Sequence, residues 1–309
     1  MRNPLFQKDL ISIADLNRAD IDYILKLAAH FQLHPKSDLL KNTLLASCFF
    51  EPSTRTRLSF EAAMLKLGGQ TIGFADPANT SSGSKGESLS DAIKVISSYA
   101  DVMVIRHPLA GAARLAAEMS DIPVINAGDG GNQHPSQTLL DLYTIQQTQG
   151  KLDELSIAMV GDLKYGRTVH SLAEACALFN ARLYFVAPET LNMPGSICDF
   201  LRKKGIRFSF HQDIHEVINK VDVLYMTRLQ KERFNAFELQ HLKEQWALTP
   251  AMLKEAKPTL KILHPLPRNE EIPAEMDTMP QAAYFQQAAN GVPVRQAIFA
   301  ALLREEISL

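Results

Sequence analysis

The chain has 309 residues, of which 46% are hydrophobic and 21% are charged, and its formal net charge at pH 7 is −2. This length is enough for two domains, and this composition is typical of globular proteins. The near-neutral charge disfavours nucleic-acid binding, and no apolar run approaches the roughly 20 residues that span a bilayer. The sequence therefore predicts no nucleic acid and no membrane as partners.

The N-terminal segment and the cysteines indicate the compartment. Residues 1–15 carry several charges and lack the apolar core of a signal peptide. The cysteines are odd in number, fit no zinc pattern and disfavour a disulfide framework. We therefore expect a cytoplasmic protein in which Cys48, Cys176 and Cys198 are buried free thiols.

Short apolar runs alternate with helical patterns along the chain. Helical spacing of apolar residues is clearest over 14–33, 136–148 and 292–309. Strands separated by helices indicate βαβ units, so we expect an α/β fold of two doubly wound domains. Each has a mainly parallel sheet flanked by helices, and interdomain helices join the two. The predicted strands are 44–50, 71–75, 102–106, 123–127, 156–161, 183–187, 206–210, 222–227 and 260–264.

The domain boundary is expected near residues 130–150, where the helical pattern over 136–148 ends at Gly150 before a new strand. We expect one domain to comprise residues 1–134 and 292–309, and the other to comprise residues 135–291.

The most informative stretch is Ser53-Thr54-Arg55-Thr56-Arg57, which lies between a predicted buried strand and a helical pattern starting at Leu58. A helix start presents free backbone N–H groups and the positive end of the helix dipole. Hydroxyls cap such an end, and guanidiniums bind an oxyanion through two parallel hydrogen bonds. On a near-neutral protein, this local cluster predicts a site for a small anion such as phosphate.

Other polar residues also follow predicted strands, where doubly wound sheets place their functional groups. Taken singly, Arg106 suits a strand-end salt bridge, His134 suits a helix cap, and the loop over 76–87 suits a flexible connection or an arm that closes over an anion. Recurrence in both halves of the chain favours function. The set is Arg106, His134 with Gln137, Arg167, Arg228 with Gln230, and His264-Pro265-Leu266-Pro267-Arg268.

Several common motifs are absent from the sequence. It contains no G-x-G-x-x-G fingerprint, no P-loop, no H-E-x-x-H and no acidic cluster with metal-ligand spacing. We therefore expect no cofactor and no metal, and a nicotinamide-dependent dehydrogenase is disfavoured.

The stretch Phe50-Glu51-Pro52-Ser53-Thr54-Arg55-Thr56-Arg57 resembles the carbamoyl-phosphate signature of the aspartate and ornithine carbamoyltransferases. The resemblance continues in the family's order through residues 106–108, 134–138 and 264–268, and covers essentially the whole chain. It implies a non-covalent transfer in which the enzyme orients two anionic substrates and stabilises a tetrahedral oxyanion.

Two features favour the aspartate branch of this family. Arg228-Leu229-Gln230 is similar to the segment that grips a dicarboxylate, and Pro265 stands where the ornithine branch typically has a cysteine. Two carboxylates need cationic partners, which Arg167 and Arg228 supply, whereas ornithine needs a carboxylate for its ammonium group. The implied reaction converts carbamoyl phosphate and L-aspartate into N-carbamoyl-L-aspartate and phosphate, early in pyrimidine biosynthesis.

The resemblance also assigns the site residues. It implies that residues 1–134 with 292–309 bind carbamoyl phosphate, and that residues 135–291 bind aspartate. The implied catalytic set is Arg55, Thr56, Lys85, Arg106 and His134. Carbamoyl phosphate is expected to bind Ser53, Thr54, Arg55, Thr56, Ser81, Lys85, Arg106, His134, Gln137, Leu266 and Pro267. Aspartate is expected to bind Lys85, Arg167, Arg228 and Gln230.

The resemblance implies a homotrimer with shared active sites, in which Ser81 and Lys85 reach the site of a neighbouring subunit. It leaves open a separate regulatory chain. Two other interpretations also stay open: a carbamoyltransferase with a different acceptor, and a non-catalytic phosphate-binding module. The spread of polar strand-end residues over both halves counts against the second, because a protein that binds one anion needs only one half.

Two finer expectations complete the interpretation. The Leu266–Pro267 bond is a candidate cis peptide, since such bonds occur at functional turns. Glu51 is expected to pair with Arg167 and Arg233 and so to tie the two domains in a closed state.

Overall fold

The computed structural model of the protein describes residues 3–76, 80, 85–229, 234 and 247–307. The chain forms two compact units, the first comprising Met1–Tyr143 with Asn290–Leu309 and the second Thr144–Ala289. The chain passes between the units inside two helices, 135–149 and 284–303. The boundary expected between residues 134 and 135 lies at the start of the first of these helices and stays a prediction.

The first unit is built on a four-stranded parallel sheet with the order β2-β1-β3-β4. Its strands are β1 (Leu44–Phe49), β2 (Gln70–Phe74), β3 (Val102–His107) and β4 (Val124–Asp129). Its helices are α1 (Arg18–Leu33), α2 (Thr54–Lys66), α3 (Leu89–Ser97), α4 (Ala112–Met119) and most of α5 (Pro135–Gln149).

The second unit is built on a five-stranded parallel sheet with the order β7-β6-β5-β8-β9. Its strands are β5 (Ser156–Val160), β6 (Arg182–Val186), β7 (Phe208–His211), β8 (Val223–Met226) and β9 (Lys261–Leu263). Its helices are α6 (Arg167–Cys176), α7 (Gly195–Lys203) and the beginning of α8 (Tyr284–Leu303). Short 3₁₀ helices supplement them, among them Ile214–Glu216 and Ala274–Thr278.

The predicted fold class is confirmed, and all nine predicted strands form within two residues of their predicted bounds. They are recognisable because strands of a covered parallel sheet are apolar along their whole length: residues 102–105 of β3 are fully buried. The prediction for the last helix was wrong at its start, since α8 begins at Tyr284 and runs through Gly291 and Pro293, residues that usually mark helix ends.

The three cysteines are buried and free, as predicted. Burial raises the pKa of the Cys48 thiol in β1 to about 12 and also raises the pKa of Cys198 in α7. These thiols are therefore packing groups rather than nucleophiles.

Strand order determines where the functional residues meet. In the first sheet the order reverses direction between β1 and β3, and in the second sheet it reverses between β5 and β8. At such a switch point the connections leave on opposite faces and open a crevice at the carboxyl ends of the strands. The predicted site residues 53–56 follow β1, and Arg106 lies at the carboxyl end of β3. Arg167 and Arg228 follow β5 and β8.

Candidate functional site

The first element of the site is the start of α2. Ser53 occupies the N-cap position with extended backbone, and its hydroxyl makes no capping hydrogen bond. Within the described part of the chain, the side chains of Ser53, Thr54, Arg55 and Thr56 form no hydrogen bond or ion pair. The helix therefore begins with four polar side chains and the positive end of its dipole unused by the protein, which is the arrangement that binds an anion.

The second arginine of the motif has a different role. Arg57 Nη1 lies 3.4 Å from Glu61 Oε1, one turn further along α2, and Ser47 Oγ of β1 donates to the same oxygen at 3.1 Å. Arg57 thus contributes to the attachment of α2 to the sheet, whereas Arg55 has no such partner among the described residues.

Arg106 is held at the end of β3 by its neighbours on both sides. Its Nε lies 3.0 Å from Glu51 Oε2, in the connection after β1, and its Nη1 donates to the Ala127 carbonyl of β4 at 3.3 Å. These contacts fix the guanidinium beside the start of α2. The expected pairing of Glu51 with Arg167 stays a prediction, and Arg233 lies outside the described residues.

The loop before His134 is organised by Asp129, a residue that the sequence analysis did not single out. Its buried carboxylate accepts hydrogen bonds from Asn126 Nδ2 at 2.9 Å, Gln133 N at 3.1 Å, Asn132 Nδ2 at 3.0 Å and Gly111 N at 2.8 Å. Four donors satisfy the charge and hold the loop that delivers buried His134 to the start of α5. Its only sequence signal is an acidic residue in a glycine-rich loop.

Gln137, one turn into α5, has its amide orientation set by a buried carboxylate. Its Nε2 donates to Asp141 Oδ1 at 2.8 Å, and because an ionised carboxylate only accepts, the Gln137 oxygen must face elsewhere. Asp141 is fully buried, and buried Arg295 of α8 provides the opposite charge. Burial lowers the pKa of Arg295 to about 9 against the influence of Asp141, and its guanidinium stacks on Phe60 at 4.6 Å.

In the second unit, arginines follow the two strands at the switch point. Arg167 begins α6 and is buried, and Arg228 comes directly after Thr227, at the end of β8. Thr227 Oγ1 donates to the Val160 carbonyl of β5 at 3.0 Å. Gly161 has φ +112°, and a Cβ there would lie 2.3 Å from the Thr227 carbonyl oxygen, so only glycine permits this close approach.

The third contribution of the second unit is the loop after β9. The Leu266–Pro267 peptide is cis, as predicted. Arg268 anchors the loop: its guanidinium makes a two-pronged ion pair with Asp277, donates to the Tyr284 hydroxyl at 3.0 Å and stacks on the Tyr284 ring at 5.2 Å.

The structure therefore gathers the predicted residues into one set per unit. Lys85 is exposed, and Ser81 and Gln230 lie outside the described residues. In the part of the chain that is described, no three His, Cys, Asp or Glu residues are placed to hold a metal ion. No helix in that part is both long and apolar enough to cross a membrane.

Each of the two α/β units has a parallel sheet with polar or cationic groups at the carboxyl ends of its strands. This arrangement is typical of enzymes that bind small anionic molecules. Two family models match the chain: "Aspartate/ornithine carbamoyltransferase, carbamoyl-P binding domain" over residues 8–147, and "Aspartate/ornithine carbamoyltransferase, Asp/Orn binding domain" over residues 153–302. The chain belongs to the aspartate/ornithine carbamoyltransferase family, as its motifs predicted.

Named relatives agree with this membership. The aspartate carbamoyltransferase catalytic subunit of Vibrio campbellii is 56% identical over 309 residues, which cover 99% of this chain and 100% of that protein. The catalytic subunit of M. Jannaschii aspartate transcarbamoylase superimposes with a TM-score of 0.87 at 48% identity, covering 96% of this chain and 97% of that one. Aspartate transcarbamoylase from Trypanosoma cruzi in complex with carbamoyl phosphate and aspartate superimposes with a TM-score of 0.92 at 38% identity, with 98% of each chain covered.

The Arg268–Asp277 pair predicts a specific dependence of stability on pH. Hydrogen bonds from Arg268 and then Tyr284 lower the pKa of Asp277 from 3.8 to about 2. A carboxyl group with a lowered folded-state pKa stabilises the fold above its unfolded-state value and loses that contribution as the pH falls toward the folded-state value. The difference in thermal midpoint between wild type and Asp277→Asn is therefore expected to be constant from pH 5 to 7 and to shrink below about pH 4.

Thermal unfolding followed by circular dichroism from pH 3 to 7 measures this difference. Asp199→Asn is the control, because it removes an exposed ion pair with Arg202 on α7, a type of pair that contributes at most about 1 kcal/mol. If the difference in thermal midpoint between wild type and Asp277→Asn stayed the same down to pH 3, the ionised Asp277 carboxylate would not stabilise the fold as proposed.

Proposed function

We propose that this chain transfers the carbamoyl group of carbamoyl phosphate to the α-amine of L-aspartate, giving N-carbamoyl-L-aspartate and phosphate. The main support for this proposal is the start of α2. There the family's carbamoyl-phosphate motif presents the side chains of Ser53, Thr54, Arg55 and Thr56 without protein partners among the described residues. The full-length identity with an aspartate carbamoyltransferase of Vibrio campbellii supports aspartate as the acceptor.

The phosphate group is assigned to residues 53–56, with the backbone N–H groups of the helix start as additional donors. Arg106 binds both the phosphate and the carbonyl oxygen, which its fixed position beside Glu51 and Ala127 supports. This division leaves Arg57, already paired with Glu61, out of the substrate site.

The carbamoyl group is assigned to side chains at the starts of α5 and α2 and to two backbone carbonyls of the loop after β9. His134 and Thr56 donate hydrogen bonds to the carbonyl oxygen, which becomes negative in the tetrahedral intermediate. Gln137 accepts a hydrogen bond from the carbamoyl NH₂, consistent with its own NH₂ being occupied by Asp141. The backbone carbonyls of Leu266 and Pro267 orient the carbamoyl nitrogen and the incoming amine.

Aspartate is assigned to Arg167, Arg228, Gln230 and Lys85, with residues 144–289 as the main acceptor-binding unit. Two arginines match two carboxylates in charge. Placement at the β5–β8 switch point supports the assignment, because Arg167 begins the helix that follows β5 and Arg228 follows the neighbouring strand β8.

Catalysis in this proposal needs no covalent intermediate. Orientation of two substrates that repel each other in solution lowers the barrier by roughly 7–11 kcal/mol in favourable cases. Each donor to the developing oxyanion contributes about 3–4 kcal/mol. Arg106, His134 and Thr56 supply these donors.

The assembly is proposed to be a cytoplasmic homotrimer with shared sites, in which Ser81 and Lys85 complete the site of a neighbour. Exposed apolar side chains on consecutive elements of the first unit, Leu58 and Leu65 of α2 and Ile72 of β2, support a contact with another copy. A regulatory chain is compatible with this assembly and is not required for the chemistry.

The direct test of function is a parallel assay of carbamoyl phosphate with aspartate, ornithine and putrescine as acceptors. Turnover is expected with aspartate alone, because the two arginines match its two carboxylates and repel the ammonium groups of ornithine and putrescine. Turnover with ornithine but not aspartate would reverse the assignment of the acceptor, and no turnover at all would favour a binding module.

The phosphate site is tested by comparing Arg55→Ala with Arg57→Ala, two arginines of the same helix turn. Loss of the Arg55 charge is expected to remove charge-assisted hydrogen bonds worth about 2–3 kcal/mol, or roughly 30- to 150-fold in kcat/KM for carbamoyl phosphate. Arg57→Ala removes only the pair with Glu61 and is expected to stay within about threefold. Steady-state kinetics decide, and equal losses in both variants would refute the division of the motif.

The shared site is tested by mixing Arg55→Ala and Lys85→Ala subunits, each of strongly reduced activity alone, after reversible dissociation. In each hybrid trimer, one of the three sites keeps both an unmutated Arg55 from one chain and an unmutated Lys85 from its neighbour. About a third of wild-type activity per hybrid trimer is therefore expected. Separately dissociated and reassembled single variants are the controls. Hybrids with no more activity than these controls would place Lys85 and Arg55 of one site on the same chain.

A further inference from the structure

The backbone at Leu266 is in a conformation that its side chain disfavours. Its φ is +56°, in the left-handed region. The other non-glycine residues with positive φ in the described ranges are Gln7, Asn42, Glu154 and Asn180, all polar, whereas Leu266 is bulky and apolar. A bulky residue persists in this region only when its surroundings hold it there, and such positions are concentrated at functional sites.

The group that holds Leu266 is the imidazole of His264. The Leu266 N–H donates to His264 Nδ1 at 2.8 Å, which closes a short loop over Pro265. His264 is only 1% exposed, and its backbone N–H donates to Gln287 Oε1 of α8 at 2.8 Å. Ring and backbone are therefore both anchored, so the ring is a rigid support for the Leu266 amide.

The hydrogen-bond pattern defines the protonation state of this ring. Because Leu266 N–H is a donor, His264 Nδ1 must present its lone pair. Nε2, 2.8 Å from Glu271 Oε1, must then carry the proton and donate it to the carboxylate. Glu271 also accepts from Asn269 N at 3.0 Å, and although burial opposes them, these hydrogen bonds lower its pKa. Glu271 thus selects the tautomer that the Leu266 hydrogen bond needs.

We propose that His264 is a positioning residue, held by Glu271 as the neutral Nε2–H tautomer, that maintains Leu266 in its left-handed conformation so that the Leu266 and Pro267 carbonyls face the reacting amine. This inference rests on the role proposed above for those two carbonyls. His264 does not touch substrate and acts through the Leu266 backbone.

The alternative role of the His264–Glu271 pair is purely structural, namely to keep the loop folded. The loop has a separate anchor for that purpose in Arg268, which is paired with Asp277 and stacked on Tyr284. Loss of the His264 hydrogen bond is therefore expected to change the carbonyl positions more than the stability of the unit.

Two amide substitutions separate the functions of the two ring nitrogens. In His264→Asn, Oδ1 replaces Nδ1 and still accepts from Leu266 N–H, while the bond to Glu271 is lost. In His264→Gln, the longer amide reaches the Nε2 position and retains the bond to Glu271, while the acceptor for Leu266 is lost. If positioning is the role, His264→Gln is expected to lower kcat with aspartate about 100-fold, the scale of a misplacement near 1 Å, and His264→Asn less than about tenfold.

The readouts are kcat, KM for both substrates, and the dissociation constant of inorganic phosphate, which probes the phosphate site of the first unit without the loop after β9. The proposal expects kcat to fall while phosphate binding stays within about twofold. Equal kcat in the two variants, or a loss of phosphate binding that parallels the loss of kcat, would overturn it. An inactive wild type would instead refute the proposed function, so the two failures are distinguishable.

If His264→Gln does not fold, Glu271 provides the decisive comparison. Glu271→Gln still accepts from His264 Nε2–H and Asn269 N–H through its amide oxygen, so it is expected to keep kcat within about threefold. Glu271→Ala removes the acceptor that selects the tautomer and is expected to lower kcat about tenfold at unchanged phosphate affinity. Equal kcat in these two variants would overturn the role assigned to the tautomer.

Discussion

One backbone hydrogen bond places the anion-binding helix start of the first unit beside Arg106. Phe50 N–H donates to the Arg106 carbonyl at 2.8 Å, at the point where β1 and β3 end side by side. The parallel register places Phe49 opposite Arg106, so the connection into α2 leaves the sheet beside the Arg106 side chain. The anion-binding helix start and the guanidinium are therefore adjacent because of strand pairing, before any side-chain contact is made. Their coincidence with the switch point of the strand order follows from the same pairing.

The polar groups proposed to face substrate are supported by a second group of buried charges. Asp129 holds the loop before His134, Asp141 orients Gln137, and Glu271 selects the tautomer of His264. A buried carboxylate is tolerated only when hydrogen bonds or an opposite charge compensate for lost hydration. Each of these carboxylates meets that condition with backbone amides, side-chain amides, an imidazole or the guanidinium of Arg295. The same bonds that compensate for burial also restrict the orientation of the substrate-facing residue.

The sequence predicted the strands and most strand-end residues because both are local signals: a continuous apolar run, and a change to polar residues at its end. It did not predict the supporting carboxylates. Asp141 and Arg295 are more than a hundred residues apart in sequence and interact only once α5 and α8 have formed. The start of α8 was missed for a related reason, because Gly291 and Pro293 are tolerated in a helix whose stability comes from burial rather than propensity. The N-cap position of Ser53 does not tell from sequence whether its hydroxyl caps the helix, and in the structure it makes no capping hydrogen bond.

Most of the charged groups proposed to select the acceptor belong to the second unit. The model that matches residues 153–302 is described as an aspartate or ornithine binding domain, so one architecture serves acceptors of opposite side-chain charge. In this chain the residues that follow β5 and β8 include Arg167, which is buried, and Arg228, which is partly buried. A partly desolvated guanidinium pair favours a second carboxylate and penalises an ammonium group, since each charge left unpaired there loses hydration without compensation. A change of acceptor would therefore require replacement of a cation by a carboxylate at these strand ends, whereas the α2 site for the common phosphate could remain as it is.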